Sequence, residues 1–445
     1  MHISSNAFQI SQSLRQANPG ADLNELAAQV KNEKGMIPVI VRANDGDELK
    51  ASSDFVSLTG ANKTADLDLI DAFAAELTPE AFAKLAEKAP EGVTIHLDEQ
   101  VHAYQPVELE RPETLDPQQP KLQVDNAIAT LGVDKVWEQG YKGKGVGIAV
   151  IDTGIYPHPD YKDRIVGWKS WTDGKAEPND PQGHGTHVAG DALGDGTLSD
   201  GKFQGPAPEA HLIGIAVLDK HGSGRLSDII KGVQWAVSKR DELDIDIINM
   251  SLGGPVFDSY KNDPVALSVG KAVEAGIVAA VAGGNSGPKP STIGTPGNHP
   301  DAFTVGALND KGTLTRADDD VAQFSSRGPT SVDGLVKPDI LSPGVNITAA
   351  NAPGSALDRA AVPHVGQGYI TISGTSMATP IMAGIIATIL SANPNLTPAQ
   401  VKEIFMSTAD PMANVDPNSQ GSGVVDPQEA LQRALALKEQ TAVGA

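Results

Sequence analysis

Short uninterrupted apolar runs recur from residue 145 onward, and between them the apolar spacing changes to that of a helix. GVGIAVID (145–152), HLIGIAVLD (211–219), DIDIINMSLG (244–253), GIVAAVAGGN (276–285) and AFTVGAL (302–308) read as buried strands. LSDIIKGVQWAVSKR (226–240) and PVALSVGKAVEAG (264–276) read as helices. Strands that are apolar throughout, joined by helical crossovers, imply a parallel sheet covered on both faces. Chemistry in such sheets sits beyond the carboxyl ends of the strands.

The first hundred residues follow a different rhythm. MIPVIVRA (36–43) and LDLIDAFAAEL (67–77) read as strands, TPEAFAKLAEKA (78–89) as a helix capped by Thr78 with Pro79 behind it, and GVTIHL (92–97) as a further strand. This predicts a small α+β unit of the βαββαβ, ferredoxin-like kind. QPVELERPETLDPQQPK (105–121) is rich in proline and acid with no apolar period, and reads as a linker. The expected division is therefore 1–104, 105–121 and 122–445.

Composition narrows the class. The 445 residues carry a formal net charge of −22, which argues against nucleic acid or an anionic membrane surface as a partner. There is no cysteine, hence no disulfide, thiolate metal site or cysteine nucleophile. No run approaches the roughly 18 consecutive apolar residues of a membrane span. MHISSNAFQISQSLRQANPG lacks the basic and apolar regions of a signal peptide. The expected location is cytoplasmic, or secreted if a leader is missing.

Candidate chemistry gathers at the strand ends. IDTGI sets Asp152 at the tip of a buried strand, although an aspartate before Thr-Gly is also an ordinary turn residue. DPQGHGTHVAG holds His184 and His187 about one helical turn apart, a spacing that could chelate a metal, but without a HExxH pattern. AVAGGNSG leaves Asn285 after a strand among glycines. GTSMATP (374–380) opens the apolar stretch IMAGIIATIL, where Thr375 or Ser376 could simply cap a helix and Pro380 fit near its first turn.

Taken together these stretches resemble the subtilisin-like serine proteases. The order Asp152, His184, Ser376 is that of the subtilisin triad. HGSG (221–224), SLGG (251–254), FSSRGP (324–329) and KPDILSPG (337–344) extend the match across most of 122–445. SSRGP, KPDI and the leaderless N-terminus resemble the intracellular alkaline protease branch most. Ile381 and Met382 depart from the family, which often has a histidine two residues after the proline of GTSMATP.

The resemblance implies an α/β subtilisin-like fold, a mostly parallel sheet with helices on both faces, behind a small N-terminal propeptide domain. It implies a serine endopeptidase acting through an acyl-enzyme, with Ser376 as nucleophile, His184 as base, Asp152 orienting it and Asn285 as oxyanion donor. Gly222, Ser223, Gly224 and Ser251, Leu252, Gly253, Gly254 would flank an extended protein or peptide substrate, with room for a large apolar P1 side chain. DEQVHAY resembles the end of a subtilisin propeptide. This implies self-processing after Tyr104 and a propeptide that stays as an intramolecular inhibitor. No cofactor is required for the chemistry; Asp195 and Asp200 are candidates for a structural calcium. Two other readings of the same fold are a catalytically silent peptide-binding module, which would lack proteolysis, and a transpeptidase or cyclase, which product analysis with an added amine would expose.

Overall fold

The computed structural model describes residues 8–9, 31–32, 34–43, 55–56, 59–87, 93–104, 107 and 126–444. Apart from Val107, whose N–H donates to the Ser373 carbonyl at 2.9 Å, the expected linker 105–121 lies outside the described residues.

The N-terminal unit has strands β1 (Phe8–Gln9), β2 (Ile37–Ala43), β3 (Asn62–Leu67), β4 (Ala72–Leu77) and β5 (Val93–Leu97), in the sheet order β1-β5-β2-β4-β3. Helix α1 (Pro79–Glu87) joins β4 to β5, and the Thr78 hydroxyl caps it by accepting the Ala81 N–H at 3.1 Å. Residues 67–77 are not one strand, as the sequence suggested. Asp68–Ile70 form a single 3-10 turn, and Asp71 takes φ 53, a left-handed conformation that aspartate tolerates better than most residues. The chain reverses there, so the mostly polar NKTADL becomes an edge strand paired antiparallel with β4.

Alternation along these strands gives the small sheet two apolar faces. Val39, Val41, Phe73 and Ile95 pack with Phe55 and Phe82 into a core of its own. Ile40, Leu67, Ala72 and Ala74 instead share a core with the main body.

The main body is built on an eight-stranded sheet. Its strands are β7 (Gly147–Asp152), β8 (Ile165–Ser170), β9 (His211–Ala216), β11 (Ile245–Met250), β13 (Val278–Ala282), β14 (Phe303–Asn309), β15 (Asp320–Val321) and β16 (Ile340–Pro343). The order is β15-β14-β13-β11-β7-β9-β8 with β16 beside β14, and every pair except β14·β15 is parallel. Helices cover both faces. Ile148 and Val150 of β7 point to the side holding α4 (His184–Leu193) and α7 (Thr375–Ala392). Ala149 and Ile151 point to the side holding α5 (Leu226–Ser238) and α6 (Pro264–Glu274), which is the side shared with the N-terminal sheet. Between α1 and α4 run the short helices α2 (Asn126–Leu131) and α3 (Val133–Glu138).

Helix α7 is 18 residues long and apolar, long enough to cross a membrane, but 94% of it is buried inside the protein as the central core helix. Three shorter strands complete an accessory sheet, β17 (Ile347–Ala350), β18 (His364–Val365) and β19 (Tyr369–Ile372), leading directly into α7.

One further sheet joins the two units. Strand β6 (Gln100–Ala103) lies antiparallel between β10 (Ser223–Arg225) and β12 (Leu252–Gly253). Gly224 pairs with Val101, and Gly253 with His102.

Candidate active site

Asp152 is the last residue of β7, and His184 the first of α4. The helix approaches the strand end closely at Gly185, where a Cβ would come within 2.2 Å of the Gly154 carbonyl oxygen, so only glycine fits. This approach sets His184 Nδ1 2.8 Å from Asp152 Oδ1, with both side chains buried. The remaining ring nitrogen, Nε2, is buried without a hydrogen-bond partner among the described residues. Burial pushes the His184 pKa down, while the charge and hydrogen bond of Asp152 push it up; the net direction is upward from the usual histidine value. An imidazole held this way keeps one nitrogen for a carboxylate and offers the other to a reacting group.

Polar groups around Asp180, a residue that the sequence motifs do not mark, hold this corner in place. Asp180 Oδ1 accepts the Thr153 hydroxyl at 2.9 Å and the Gly183 N–H at 2.7 Å, while Oδ2 accepts both the N–H and the hydroxyl of Thr186. Thr153 Oγ1 in turn accepts the Gly185 N–H at 2.9 Å. The one local signal is the Asp-Pro turn just ahead of HGTHVAG. Nothing in the sequence ties that turn to Thr153.

Ser376 does not cap α7. Gly374 occupies the cap position without a side-chain bond, and Thr375 and Ser376 are the first two helical residues. Pro380 is the sixth residue and stands inside the helix, past its first turn. Ser376 is buried, and its hydroxyl donates to the Ser251 carbonyl at 3.1 Å.

Asn285 follows β13 through Gly283 and Gly284. Its Oδ1 accepts the N–H of Thr375 at 2.9 Å and the Thr375 hydroxyl at 2.8 Å. These two hydrogen bonds accepted by the oxygen fix the amide plane and turn Nδ2 toward the start of α7, where a Cβ on Gly374 would lie 3.1 Å from it. A side-chain N–H beside a helix N-terminus is a donor pair suited to an oxyanion.

The edge segments converge on one residue. A Cβ on Gly253 or on Gly294 would come within 2.4 Å of the Tyr104 hydroxyl, and one on Gly284 within 3.4 Å. The Tyr104 ring therefore occupies a slot walled by three glycines, and burial pushes its phenol pKa up. Val101 lies against Gly254, where a Cβ would be 3.2 Å from its Cγ1. Ser223 reaches the N-terminal unit through a 2.9 Å contact with His102 Nδ1, and the Gly222 carbonyl accepts the Ala103 N–H at 2.9 Å.

The candidate metal ligands do not converge. His184 faces Asp152, whereas His187 Nδ1 pairs with Asp191 at 2.9 Å and its Nε2 contacts the Ile370 carbonyl. Asp195 Oδ1 is engaged by the N–H and hydroxyl of Thr197, and Asp200 sits at a left-handed turn position. Among the described residues no three His, Cys, Asp or Glu side chains are grouped to hold an ion.

Comparison with known proteins agrees with this geometry. Residues 143–426 match the model of the subtilase family, Peptidase S8. Serine protease AprX of Bacillus subtilis (strain 168) is 45% identical over 370 residues, covering 81% of this chain and 79% of the relative. Subtilisin E of the same strain is 35% identical over 383 residues, 85% of each chain. In fold, the chain is similar to fervidolysin from Fervidobacterium pennivorans, a keratinolytic enzyme related to subtilisin, with a TM-score of 0.69 and 24% identity, covering 89% of this chain and 61% of that one. With its strand-end Asp152–His184 pair, its serine at the mouth of the core helix and these matches, the chain belongs to the subtilase family and is a serine endopeptidase of the subtilisin type.

Proposed function

We propose that this protease is made as a zymogen that cuts itself after Tyr104. Residues 1–104 would then remain bound as an inhibitor of the catalytic domain, 122–445. In this reading Ser376 is the nucleophile, and His184 takes its proton and later delivers it to the leaving amine. Asp152 holds the imidazole tautomer, and Asn285 with the Ser376 N–H stabilises the oxyanion. Substrates are extended protein chains, read broadly through backbone pairing with Gly222–Gly224 and Ser251–Gly254, with a large apolar residue preferred at P1.

The observation that carries the reading is the position of β6. Gln100–Ala103 runs as the middle strand between two segments of the catalytic domain, and Tyr104 fills the glycine-walled slot beyond it. A strand added between two edges is how a protease accepts a substrate, and here the added strand belongs to the chain itself. Expected at the new N-terminus is Gln-Pro-Val-Glu.

N-terminal sequencing of the mature form tests the cut, alongside Ser376→Ala, which should leave an intact 46.2 kDa chain. A start within or beyond PETLDPQQP rejects the site, and undiminished proteolysis by the variant rejects the nucleophile. The catalytic steps assign no role to a metal, so activity should survive zinc-selective chelation and be lost to serine-directed phosphonylating reagents. A structural calcium near Asp195 and Asp200 is tested separately, by melting the protein with calcium and with chelator.

A further inference from the structure

Pro380 has no N–H. In an α-helix the N–H of residue 380 would donate to the carbonyl of residue 376, so the proline leaves the carbonyl of the proposed nucleophile without its ladder donor. The carbonyl is not left bare. Ser251 Oγ donates to Ser376 O at 2.9 Å from outside the helix. Asn249 Nδ2 donates to the same Oγ at 3.1 Å, which uses a lone pair of the hydroxyl and leaves its hydrogen for Ser376. The return bond, Ser376 Oγ–H to Ser251 O at 3.1 Å, makes the pair reciprocal. Asn249 and Ser251 are fully buried and belong to the end of the central strand β11 and the residue after it.

The geometry points to Ser251 as a positioning residue: its hydroxyl, oriented by Asn249, replaces the helical N–H that Pro380 removes and so fixes the peptide plane of Ser376. That plane sets both the direction of the Ser376 Cα–Cβ bond and the aim of the adjoining backbone. Ser251 thus acts on the reaction through its side chain, separately from the backbone groups by which the segment Ser251–Gly254 would bind substrate. The two roles come apart on mutation, because Ser251→Ala deletes the hydroxyl and keeps every backbone group. The inference rests on Ser376 being the nucleophile, which Ser376→Ala reports on independently in the same assay.

The test is a double-mutant cycle between Ser251→Ala and Pro380→Ala, read as kcat and KM on a blocked tetrapeptide anilide with phenylalanine at P1, using the protein purified as expressed. Misplacement of a reacting group by an ångström costs on the order of 10²-fold, so Ser251→Ala should lower kcat by about tenfold or more and leave KM within about twofold. Pro380→Ala restores an N–H to the Ser376 carbonyl. In that background Ser251→Ala should cost only about two- to threefold, a coupling that independent sites do not show. A hydroxyl that only packs the interior would lower the melting temperature and leave kcat alone. The proposal is overturned if Ser251→Ala keeps kcat within twofold of the parent, or if it costs the same factor with and without Pro380.

Discussion

The Asp98 carboxylate accepts the backbone N–H of Ser227 at 2.9 Å and the Ser227 hydroxyl at 2.7 Å, so the N-terminal unit caps the first turn of a helix in the catalytic domain. The position that would ordinarily cap α5, Arg225, makes no side-chain cap bond; its guanidinium donates instead to the Asp98 carbonyl at 2.8 Å. Loss of a capping carboxylate typically costs about 1 kcal/mol. In the Ser376→Ala background, which keeps the chain whole, Asp98→Ala should therefore lower the stability of the docked chain by about that amount in urea below pH 6, where the contribution of Asp98 is retained. An unchanged midpoint would show that the contact contributes nothing.

Two residues apart on the same segment, Asp98 and His96 respond to pH with opposite signs. Burial pushes Asp98 up to about 6 from 3.8, so its share of stability is fully present below 3.8 and is lost as pH rises through 6. Burial and the charge of Arg42 push His96 down to about 3 from 6.5, so its share is present above 6.5 and is lost as pH falls below that value. Between pH 7 and 5 the two oppose each other. Asp98→Asn should remove the contribution that opposes the histidine and make the intact Ser376→Ala chain lose stability more steeply on acidification than the Ser376→Ala parent does. His96→Gln should change the slope in the opposite sense, so that the chain loses less stability on acidification than the parent. Melting temperatures at pH 7 and 5 decide it, and parallel shifts in both variants would reject the assignment.

Asn285 is held by Thr375 through its oxygen, which turns its amide nitrogen toward the start of α7, where the proposed oxyanion would form. A donor of this kind acts mainly on the transition state, so Asn285→Ala should lower kcat and change KM little. The expected size is the about 10²–10³ known for subtilisin, a member of the same family, on losing its oxyanion-hole asparagine. A pure KM effect in steady-state kinetics would contradict the role.

How far the sequence could be read depended on how local each feature is. The buried strands at 147–152, 211–216, 245–250, 278–282 and 303–309 announce themselves because residues buried on both faces leave an unbroken apolar run. β8 escaped because IVGWKS is nowhere fully buried, and β16 to β19 because each has four residues or fewer. The order of their motifs nominates Asp152, His184 and Ser376, and the family resemblance adds Asn285. Their supports are not legible that way. Asp180 serves Thr153 and Thr186, Ser251 serves Ser376, and Asp98 serves Ser227, each across a separation that only the folded chain closes. Pro380 misled for a related reason: a proline within a helix reads as a first-turn residue unless something outside the helix replaces the lost donor.

The acid side of the rate profile tests the roles proposed for the His184 pair. A general base must be neutral, and the partnership with Asp152 raises the His184 pKa above 6.5 despite burial. The acidic limb of kcat/KM should therefore have its midpoint above 6.5, with activity rising through neutrality. Asp152→Asn removes the charge that raises it, so the residual activity should be far lower and its limb displaced toward acid. A parent limb centered below 6.5 would reject the role given to Asp152.

Selectivity at P1 can be tested on the slot that holds Tyr104. Its walls are Gly253, Gly284 and Gly294, and the phenol hydroxyl at its end is buried with no partner among the described residues. A slot that meets a hydroxyl with no hydrogen bond selects by shape and apolar contact, so phenylalanine should serve at P1 at least as well as tyrosine. Accordingly Tyr104→Phe should be processed no more slowly than the parent chain. A methyl group at residue 294 would lie 2.4 Å from the Tyr104 hydroxyl and 2.7 Å from the Gly254 carbonyl oxygen, closing the slot from one side. Gly294→Ala should cost P1 phenylalanine and tyrosine at least about tenfold in kcat/KM relative to P1 alanine, the scale of discrimination that pocket shape alone supplies. Peptides that differ only at P1 measure this directly. Equal losses for large and small residues would mean that the substitution disturbs the backbone pairing of Gly254 with Thr295 and leaves the slot untested as a selector, whereas an unchanged ranking at undiminished rates would place the P1 side chain somewhere other than against Gly294.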